Sequence, residues 1–258
     1  MDTSDLIKTF TAMNIYTTLQ IGAFHTNHCE DFLITEQISS HHKLIAVLDG
    51  CTMGTESVFA SMLYGKILRK IAKSTFYKEF VTNKTLDLKT TLKEVLKEVM
   101  KETVVIKNQL GLEINELLAT LILGIIDTTS HATECITIGD GLIYIDGNTY
   151  EYEQNDKPDY LGYHLYDDFD TWYDHQEQKL SIPNFKDMSF CTDGIFTFKH
   201  LENKEKQKPV SEIIEYVLQD TEHMEYDTLL DRKIRHLKNQ WKHVVTDDLA
   251  IIRIINTP

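Results

Sequence analysis

The chain has 258 residues, of which 42% are hydrophobic and 26% are charged, a balance typical of a globular protein with a substantial core. Its net charge of −14 argues against a nucleic-acid-binding protein, because neutralising phosphates needs clustered lysine and arginine. The polar, acidic start of the sequence does not match a signal peptide, and the longest apolar run, 117–126, is too short to span a bilayer. We therefore expect a soluble, cytoplasmic protein that binds neither nucleic acid nor membranes.

The four cysteines are far apart in the sequence and show no paired metal-binding spacing. We expect them to be free thiols in a reducing compartment. A cysteine-dependent phosphatase would need an arginine six residues after its nucleophile to hold the phosphate. The residues that follow the four cysteines at this spacing are Thr35, Ser57, Gly141 and Thr197. We therefore exclude that mechanism.

The hydrophobic pattern predicts a strand at 15–22, followed by a strand pair at 32–35 and 43–48 joined by a polar turn. Two amphipathic helices follow, one beginning at 55–57 and one spanning about 87–110. The later elements are strands at 118–126, 134–138, 142–145, 149–152, 179–182 and 188–191, helices at 210–218 and 229–241, and a last strand at 249–255. Because strands and helices come in blocks, we predict one α+β domain, residues 1–258, with a mainly antiparallel sheet.

The segment 156–178 differs from the rest of the chain because it is irregular, acidic and rich in tyrosine, phenylalanine and tryptophan. Connections of this length usually cover a site or bind a ligand. We therefore expect this segment to border the functional site.

The stretch 43–54, KLIAVLDGCTMG, contains the most informative strand. Its run 44–48 is apolar without interruption, as in a strand buried on both faces, and it ends in Asp49-Gly50. A carboxylate followed by glycine is a common turn, but glycine also leaves room for a ligand to approach the backbone. This motif alone leaves both interpretations open, a turn or a metal ligand.

Four other apolar strands also begin or end at acidic residues. Including Asp49-Gly50, the acidic strand ends are Glu30-Asp31, Asp49-Gly50, Asp140-Gly141, Asp193-Gly194 and Asp247-Asp248. Asp146-Gly147 has short alternating flanks and is better explained as a plain hairpin turn. Five carboxylate groups with few cations nearby would repel one another unless a cation lay between them. Such oxygen ligands select Mg²⁺ or Mn²⁺, and two of these ions can hold a nucleophilic water and a phosphoryl group.

The order and context of these motifs resemble the metal-dependent serine/threonine protein phosphatases of the type 2C family. The matching segments are Cys29-Glu30-Asp31, Leu48-Asp49-Gly50, Gly139-Asp140-Gly141, Thr192-Asp193-Gly194 and Asp247-Asp248. The resemblance spans about 15–255. It implies two stacked antiparallel β-sheets flanked by helix pairs, and an enzyme that hydrolyses phosphoserine and phosphothreonine in a phosphorylated protein substrate.

The resemblance also implies a role for each acidic position. Asp49 would bridge two Mg²⁺ or Mn²⁺ ions. Glu30 and the carbonyl group of Gly50 would complete the protein ligands of one ion, and Asp193 and Asp247 would hold the other.

Two further carboxylates have implied roles beside the two ions. Asp31 would orient the metal-bound waters. Asp140, together with Asp193, would form a weaker site for a third ion.

The sequence departs from the family pattern at two places that concern the phosphate. Thr26 stands where many members have a phosphate-binding arginine, and Cys51 stands where some members have a histidine. His25 or His28 are candidate substitutes for these groups, although an exposed loop histidine is more often only solvated. These departures support one alternative to the enzyme, a catalytically idle relative that serves as a regulatory or binding module.

Overall fold

The structure, a computed structural model, describes residues 12–25, 27–51, 57–84, 86–152 and 158–257. The expectations about Thr26, about the helix start before Ser57 and about the beginning of the segment 156–178 lie outside these residues.

The described elements alternate in blocks of strands and helices. The strands are β1 Ala12–Gln20, β2 Phe32–Gln37, β3 His42–Gly50, β4 Ala119–Asp127, β5 Thr133–Ile138, β6 Gly141–Ile145, β7 Asn148–Tyr152, β8 Lys179–Ile182, β9 Asp187–Cys191, β10 Phe198–His200, β11 His243–Val245 and β12 Leu249–Thr257. The helices are α1 Ser57–Thr82, α2 Leu88–Leu110, α3 Phe169–His175, α4 Val210–Leu218 and α5 Leu229–Asn239.

Two five-stranded sheets form the centre of the fold. One sheet has the order β1-β12-β9-β6-β7 and the other has the order β2-β3-β4-β5-β8. Neighbouring strands in both sheets are antiparallel. The β2–β3 pair and the hairpins β4–β5 and β6–β7 confirm the strand pairs and turns that the sequence predicts.

Three apolar layers show how the sheets and helices stack. The odd residues Ile45 and Val47 of β3 pack between the two sheets, whereas the even residues Leu44, Ala46 and Leu48 pack against α1 and α2. This alternation follows from the two-residue period of a strand. A separate apolar layer lies between the first sheet and the helices α4 and α5. The result is a helix–sheet–sheet–helix sandwich, which confirms the predicted fold class.

Helix α2 begins and ends where local chemistry requires it. The Asp87 carboxylate accepts a hydrogen bond from the backbone N–H of Thr90, a standard N-cap. Gly111 ends the helix in the left-handed conformation with φ 68°, which lacks the steric cost that a side chain would impose.

Three of the described elements, the strands β10 and β11 and the helix α3, were not predicted from the sequence. The strands β10 and β11 form a small sheet of three residue pairs, too short to show a hydrophobic period. Within the segment 156–178, residues Phe169–His175 form α3, which is capped by Asp168 and contributes Trp172 and Tyr173 to the core. Among the described helices, none is long and apolar enough to cross a membrane.

Candidate active site

The acidic residues of β2 and β3 lie side by side at one end of their sheet. The backbone N–H of Gly50 donates to the carbonyl oxygen of Glu30 at 3.1 Å, which extends the β2–β3 ladder beyond Phe32 and Leu48. Asp31 and Asp49 therefore face each other across this ladder. The hydroxyl of Ser61 in α1 also donates to the Glu30 carbonyl, at 2.5 Å. The backbone around Glu30 is thus fixed by both β3 and α1.

Asp31 and Asp49 are buried carboxyl groups in hydrogen-bonding contact, and they repel each other when both are ionised. Burial raises the pKa of Asp31 to about 8, although the Thr192 hydroxyl donates to its Oδ2 at 2.6 Å and favours the ionised form. Burial raises the pKa of Asp49 well above its usual value as well, and the charges of Asp31 and Asp193 raise it further. The Oδ1 atom of Asp31 is buried and accepts no hydrogen bond from a donor within the described residues. A proton or a cation held between the two groups relieves this repulsion.

Asp193, Asp140 and Asp247 lie close to this pair. Burial raises the pKa of Asp193 to about 7, and the charges of Asp140 and Asp247 raise it further. Asp140 also raises the pKa of Asp49, so the two groups of carboxylates are continuous. A Cβ atom on Gly194 would lie 1.8 Å from the carbonyl oxygen of Asp248. The close approach that brings Asp193 near Asp247 therefore requires glycine at position 194.

The buried side chain of Asp248, just before the last strand, is hydrogen-bonded to the loop that leads to Glu30. Its Oδ1 accepts the backbone N–H of Gly22 at 2.7 Å, and its Oδ2 accepts the backbone N–H of Glu30 at 2.5 Å. Residues more than 200 positions apart in sequence are joined by this one side chain. Asp248 therefore fixes the position of Glu30 relative to Asp247.

The imidazole of His25 lies between the carboxylates of Asp247 and Asp248. Its Nδ1 is 2.9 Å from Asp248 Oδ2, and its Nε2 is 3.2 Å from Asp247 Oδ1. Burial disfavours the charged ring, but the hydrogen bond and charge of Asp248, together with Asp247, outweigh it and raise the pKa of His25. His25 therefore contacts the acidic group rather than standing free to hold a phosphate, whereas His28 is exposed.

Tyr160 closes another side of the acidic group. Its ring packs with Cys51 and Leu118. Burial raises the pKa of Tyr160, and the bond to Cys51 and the charges of Asp49 and Asp140 raise it further. The segment that carries Tyr160 thus borders the site, as its composition led us to expect.

The donor set of this region fits a hard divalent cation. It consists of carboxylate oxygens with raised pKa values and a buried oxygen, Asp31 Oδ1, that has no donor. Such ligands suit Mg²⁺ or Mn²⁺. Over the part of the chain that the structure describes, no three His, Cys, Asp or Glu side chains are arranged as closely as the ligands of a bound ion. The carboxylates form a looser group in which each changes the ionisation of its neighbours.

We expect Asp248→Ala to destabilise the protein by about 3 kcal/mol, because it leaves the buried N–H groups of Gly22 and Glu30 without an acceptor. Asp248→Asn keeps one of the two acceptor oxygens and should lose about half of this. Urea unfolding of both variants in EDTA measures the difference. An equal loss of unfolding free energy in the two variants would show that the contribution of Asp248 does not come from its acceptor oxygens.

Comparison with known proteins identifies the family. The model of the family described as protein phosphatase 2C matches residues 24–237. The chain belongs to the protein phosphatase 2C family. This match confirms the resemblance seen in the sequence motifs. Among curated proteins, none matches the sequence significantly.

Solved structures of bacterial protein phosphatase 2C domains share the fold at low identity. The phosphatase domain and regulatory fragment of SpoIIE from Bacillus subtilis is 18% identical with a TM-score of 0.50, and the match covers 96% of this chain and 65% of that one. The RsbU and RsbW domains of a Mycobacterium tuberculosis protein are 14% identical with a TM-score of 0.57, and the match covers 96% of this chain and 62% of that one. The serine/threonine phosphatase Stp1 from Staphylococcus aureus is 9% identical with a TM-score of 0.58, and the match covers 95% of each chain. This chain therefore spans less than two thirds of the first two structures.

The structure brings together the side chains of most of the predicted site residues, although their roles as ligands stay predictions. Asp31, Asp49, Asp140, Asp193 and Asp247 interact electrostatically with one another. The backbone of Glu30 and Gly50 lies beside them. The sequence analysis missed the contributions of Asp248, Thr192 and Tyr160. The adjacent acidic pair 247–248 was the one available signal for the first of these.

Proposed function

We propose that this protein phosphatase 2C member is an active, metal-dependent phosphomonoesterase that hydrolyses phosphoserine and phosphothreonine in proteins. The proposal is carried by one observation, the concentration of mutually repelling carboxylates around Asp31, Asp49 and Asp193. A protein tolerates such a buried concentration of negative charge when a cation neutralises it in the working state. We also retain the cytoplasmic location as a prediction from the sequence.

We assign the metal-holding roles by the family pattern. Asp49, Glu30 and the carbonyl group of Gly50 would hold one Mg²⁺ or Mn²⁺ ion, and Asp49, Asp193 and Asp247 would hold the second. Asp140 would serve a third ion together with Asp193. When bound, the ions supply a water with a lowered pKa and neutralise charge on the phosphoryl oxygens.

Asp31 has a separate role in this proposal. The Thr192 hydroxyl occupies its Oδ2, so the orientation of the carboxylate is fixed while Oδ1 remains available as an acceptor. Oδ1 can therefore accept a hydrogen bond from the attacking water and align it. Asp248 contributes by holding the backbone of Glu30 in place.

The phosphoprotein substrate would contact the segment that carries Tyr160. Tyr163 and Tyr166 of this segment are mostly exposed, at 54% and 65%, and Asp159 and Asp167 lie on either side of His164. Exposed tyrosines and carboxylates offer stacking and charge contacts to a peptide with basic residues near its phosphorylated side chain. We therefore place the peptide along this segment.

One observation favours the second candidate, an idle binding module. The imidazole of His25 contacts both Asp247 and Asp248, and at Asp247 it competes with a metal ion for the oxygen Oδ1. A module that never binds metal would keep this contact permanently.

Turnover of p-nitrophenyl phosphate and of phosphoserine, phosphothreonine and phosphotyrosine peptides, with and without Mn²⁺, tests the proposal. We expect Mn²⁺-dependent hydrolysis of the first two peptides and loss of activity in Asp193→Asn. No turnover with a correctly folded protein would favour the idle module. Turnover that does not depend on added metal would contradict the metal-dependent mechanism.

We expect millimolar Mn²⁺ or Mg²⁺ to raise the melting temperature and EDTA to reverse the effect. An ion that binds only the native state stabilises it by about 2.7 kcal/mol at a hundredfold excess over its dissociation constant. Differential scanning fluorimetry of the wild type and of Asp49→Asn measures this, and the variant should respond far less. An equal response in both proteins would place the metal elsewhere.

A further inference from the structure

The C-terminal part of α1 extends away from the body of the protein. Between Lys73 and Thr82 no side chain is fully buried, and Thr75, Phe76 and Glu79 are partly covered. The Glu79 carboxylate binds Ser40 in the β2–β3 turn, which ties one side of the helix to the domain. The opposite side faces solvent.

Four apolar or aromatic side chains lie on or beside this solvent-facing side, and two of them, Phe76 and Phe80, also border a cavity next to Ser40 and Glu79. Tyr77, Phe80 and Val81 are 69%, 78% and 78% exposed, and Phe76 is 37% exposed. Phe76 and Phe80 are one helical turn apart, and Lys73 precedes them on the same face. We call Lys73, Phe76, Tyr77, Phe80 and Val81 the α1 stripe. Four such residues close together, on helix turns with little tertiary support, are typical of a protein-binding surface.

The charge around the α1 stripe is opposite to that of the whole chain. Helix α1 contains five cationic residues and one acidic residue, although the chain has a net charge of −14. Arg69 pairs with Glu36 and Lys70 pairs with Glu102. Within the described residues, the amino groups of Lys66 and Lys73 form no ion pair with an acidic side chain. The one acid of the helix, Glu79, is turned toward Ser40.

We propose that the α1 stripe is a docking site for an acidic, amphipathic helix of a partner protein. The apolar side of that helix would cover Phe76, Tyr77 and Phe80, and its acidic residues would meet Lys66 and Lys73. Spacings of seven, three and four residues along Lys66, Lys73, Phe76 and Phe80 keep these side chains on one face, as needed for a helix laid along another helix.

Charge argues against two other occupants. A second copy of this chain on the same stripe would bring Lys73 of one copy near Lys73 of the other, and like charges repel. An anionic membrane would attract the stripe but repel the acidic remainder of the protein. A partner whose negative charge is confined to one face would avoid both kinds of repulsion.

The test uses a synthetic helical peptide of about 15 residues with leucines on one face and glutamates on the other. A matched peptide carries lysine in place of every glutamate. Fluorescence anisotropy against the full chain should show binding of the acidic peptide that weakens with added salt, and little binding of the basic one.

Two variants and a control locate the binding. Phe76→Ser with Phe80→Ser should weaken acidic-peptide binding at least about tenfold. Lys66→Glu with Lys73→Glu should shift the preference toward the basic peptide. Leu110→Ser, at an equally exposed position on α2, should leave binding unchanged. Phe80 and Leu110 are mostly exposed, so their variants should keep the melting temperature of the wild type within a few degrees. Because Phe76 is only 37% exposed, the single variant Phe80→Ser, with weaker binding and an unchanged melting temperature, separates an effect on docking from an effect on folding.

Several results would overturn the proposal. These are equal binding of both peptides, binding unaffected by the phenylalanine variant, or no acidic-peptide binding at millimolar concentration. Light scattering that shows a dimer lost in the phenylalanine variant would assign the stripe to a second copy. Sedimentation with phosphatidylserine vesicles that is lost in that variant would assign it to a membrane.

Discussion

Asp49→Asn is expected to lower the metal-dependent turnover of p-nitrophenyl phosphate by about a thousandfold while raising the melting temperature of the metal-free protein. The loss of activity follows from removing the carboxylate proposed to bridge both ions, since several kcal/mol of transition-state stabilisation depend on them. The gain in metal-free stability follows because Asp49 is repelled by Asp31 and Asp193. The amide of asparagine can instead donate to Asp31 Oδ1, which has no donor within the described residues.

The matched control is Asp146→Asn, the same substitution in the β6–β7 hairpin. Asp146 Oδ1 accepts the backbone N–H groups of Lys186 and Asp187, and an amide oxygen can replace it. Asparagine also tolerates the positive φ of 47° at this position. Activity should stay at the wild-type level. A metal-free Asp49→Asn protein less stable than the wild type would contradict the view that these carboxylates repel one another.

Asp187→Asn is expected to destabilise the protein by about 3–5 kcal/mol, a fall in melting temperature on the order of 10 °C. Asp187 binds both Nε and Nη2 of Arg253, at 3.1 and 2.6 Å. The guanidinium is completely buried, and its Nη1 donates to the carbonyl oxygens of Val217 and Asp220 at the end of α4. Without Asp187, the positive charge of Arg253 stays buried and uncompensated.

Chemical unfolding of three further variants completes this experiment. Arg253→Met combined with Asp187→Asn should cost less than the sum of the single changes, because no unpaired charge remains. Lys101→Met removes an exposed partner of Glu98 and should change the free energy of unfolding by less than about 1 kcal/mol. If Asp187→Asn and Lys101→Met had equal effects, the buried pair would contribute no more than a surface pair.

The hydrophobic pattern was sufficient to predict most of the fold. The run 44–48 alternates between two apolar layers, so it has no polar residue and indicates a strand covered on both sides. Helix α2 has an apolar face and the cap Asp87, which together locate its start within one residue. The strand β10 was not predicted because three residues are too few to reveal the two-residue hydrophobic alternation of a strand. Helix α3 was not predicted because its few aromatic residues do not recur at helical spacing along one face.

The site was predictable in its composition but not in its connections. An acidic residue at a strand end can be recognised in sequence, and the order of five such ends indicated the family. The contact of Asp248 with Gly22 and Glu30 depends on which strands become neighbours. The position of His25 depends on the same neighbourhood. Neither contact has a local sequence signal, because the partners are more than 200 residues apart.

The pairing of β1 with β12 has a consequence for the synthesis of this protein. β12 lies between β1 and β9, and its register joins Gln20 to Leu249. During translation, β1 has no neighbouring strand in the described sheet until β12, more than 200 residues later, has been made. Asp247 and Asp248 emerge at the same late stage. The acidic site thus assembles only after β12 has been made, because two of its carboxylates directly precede that strand.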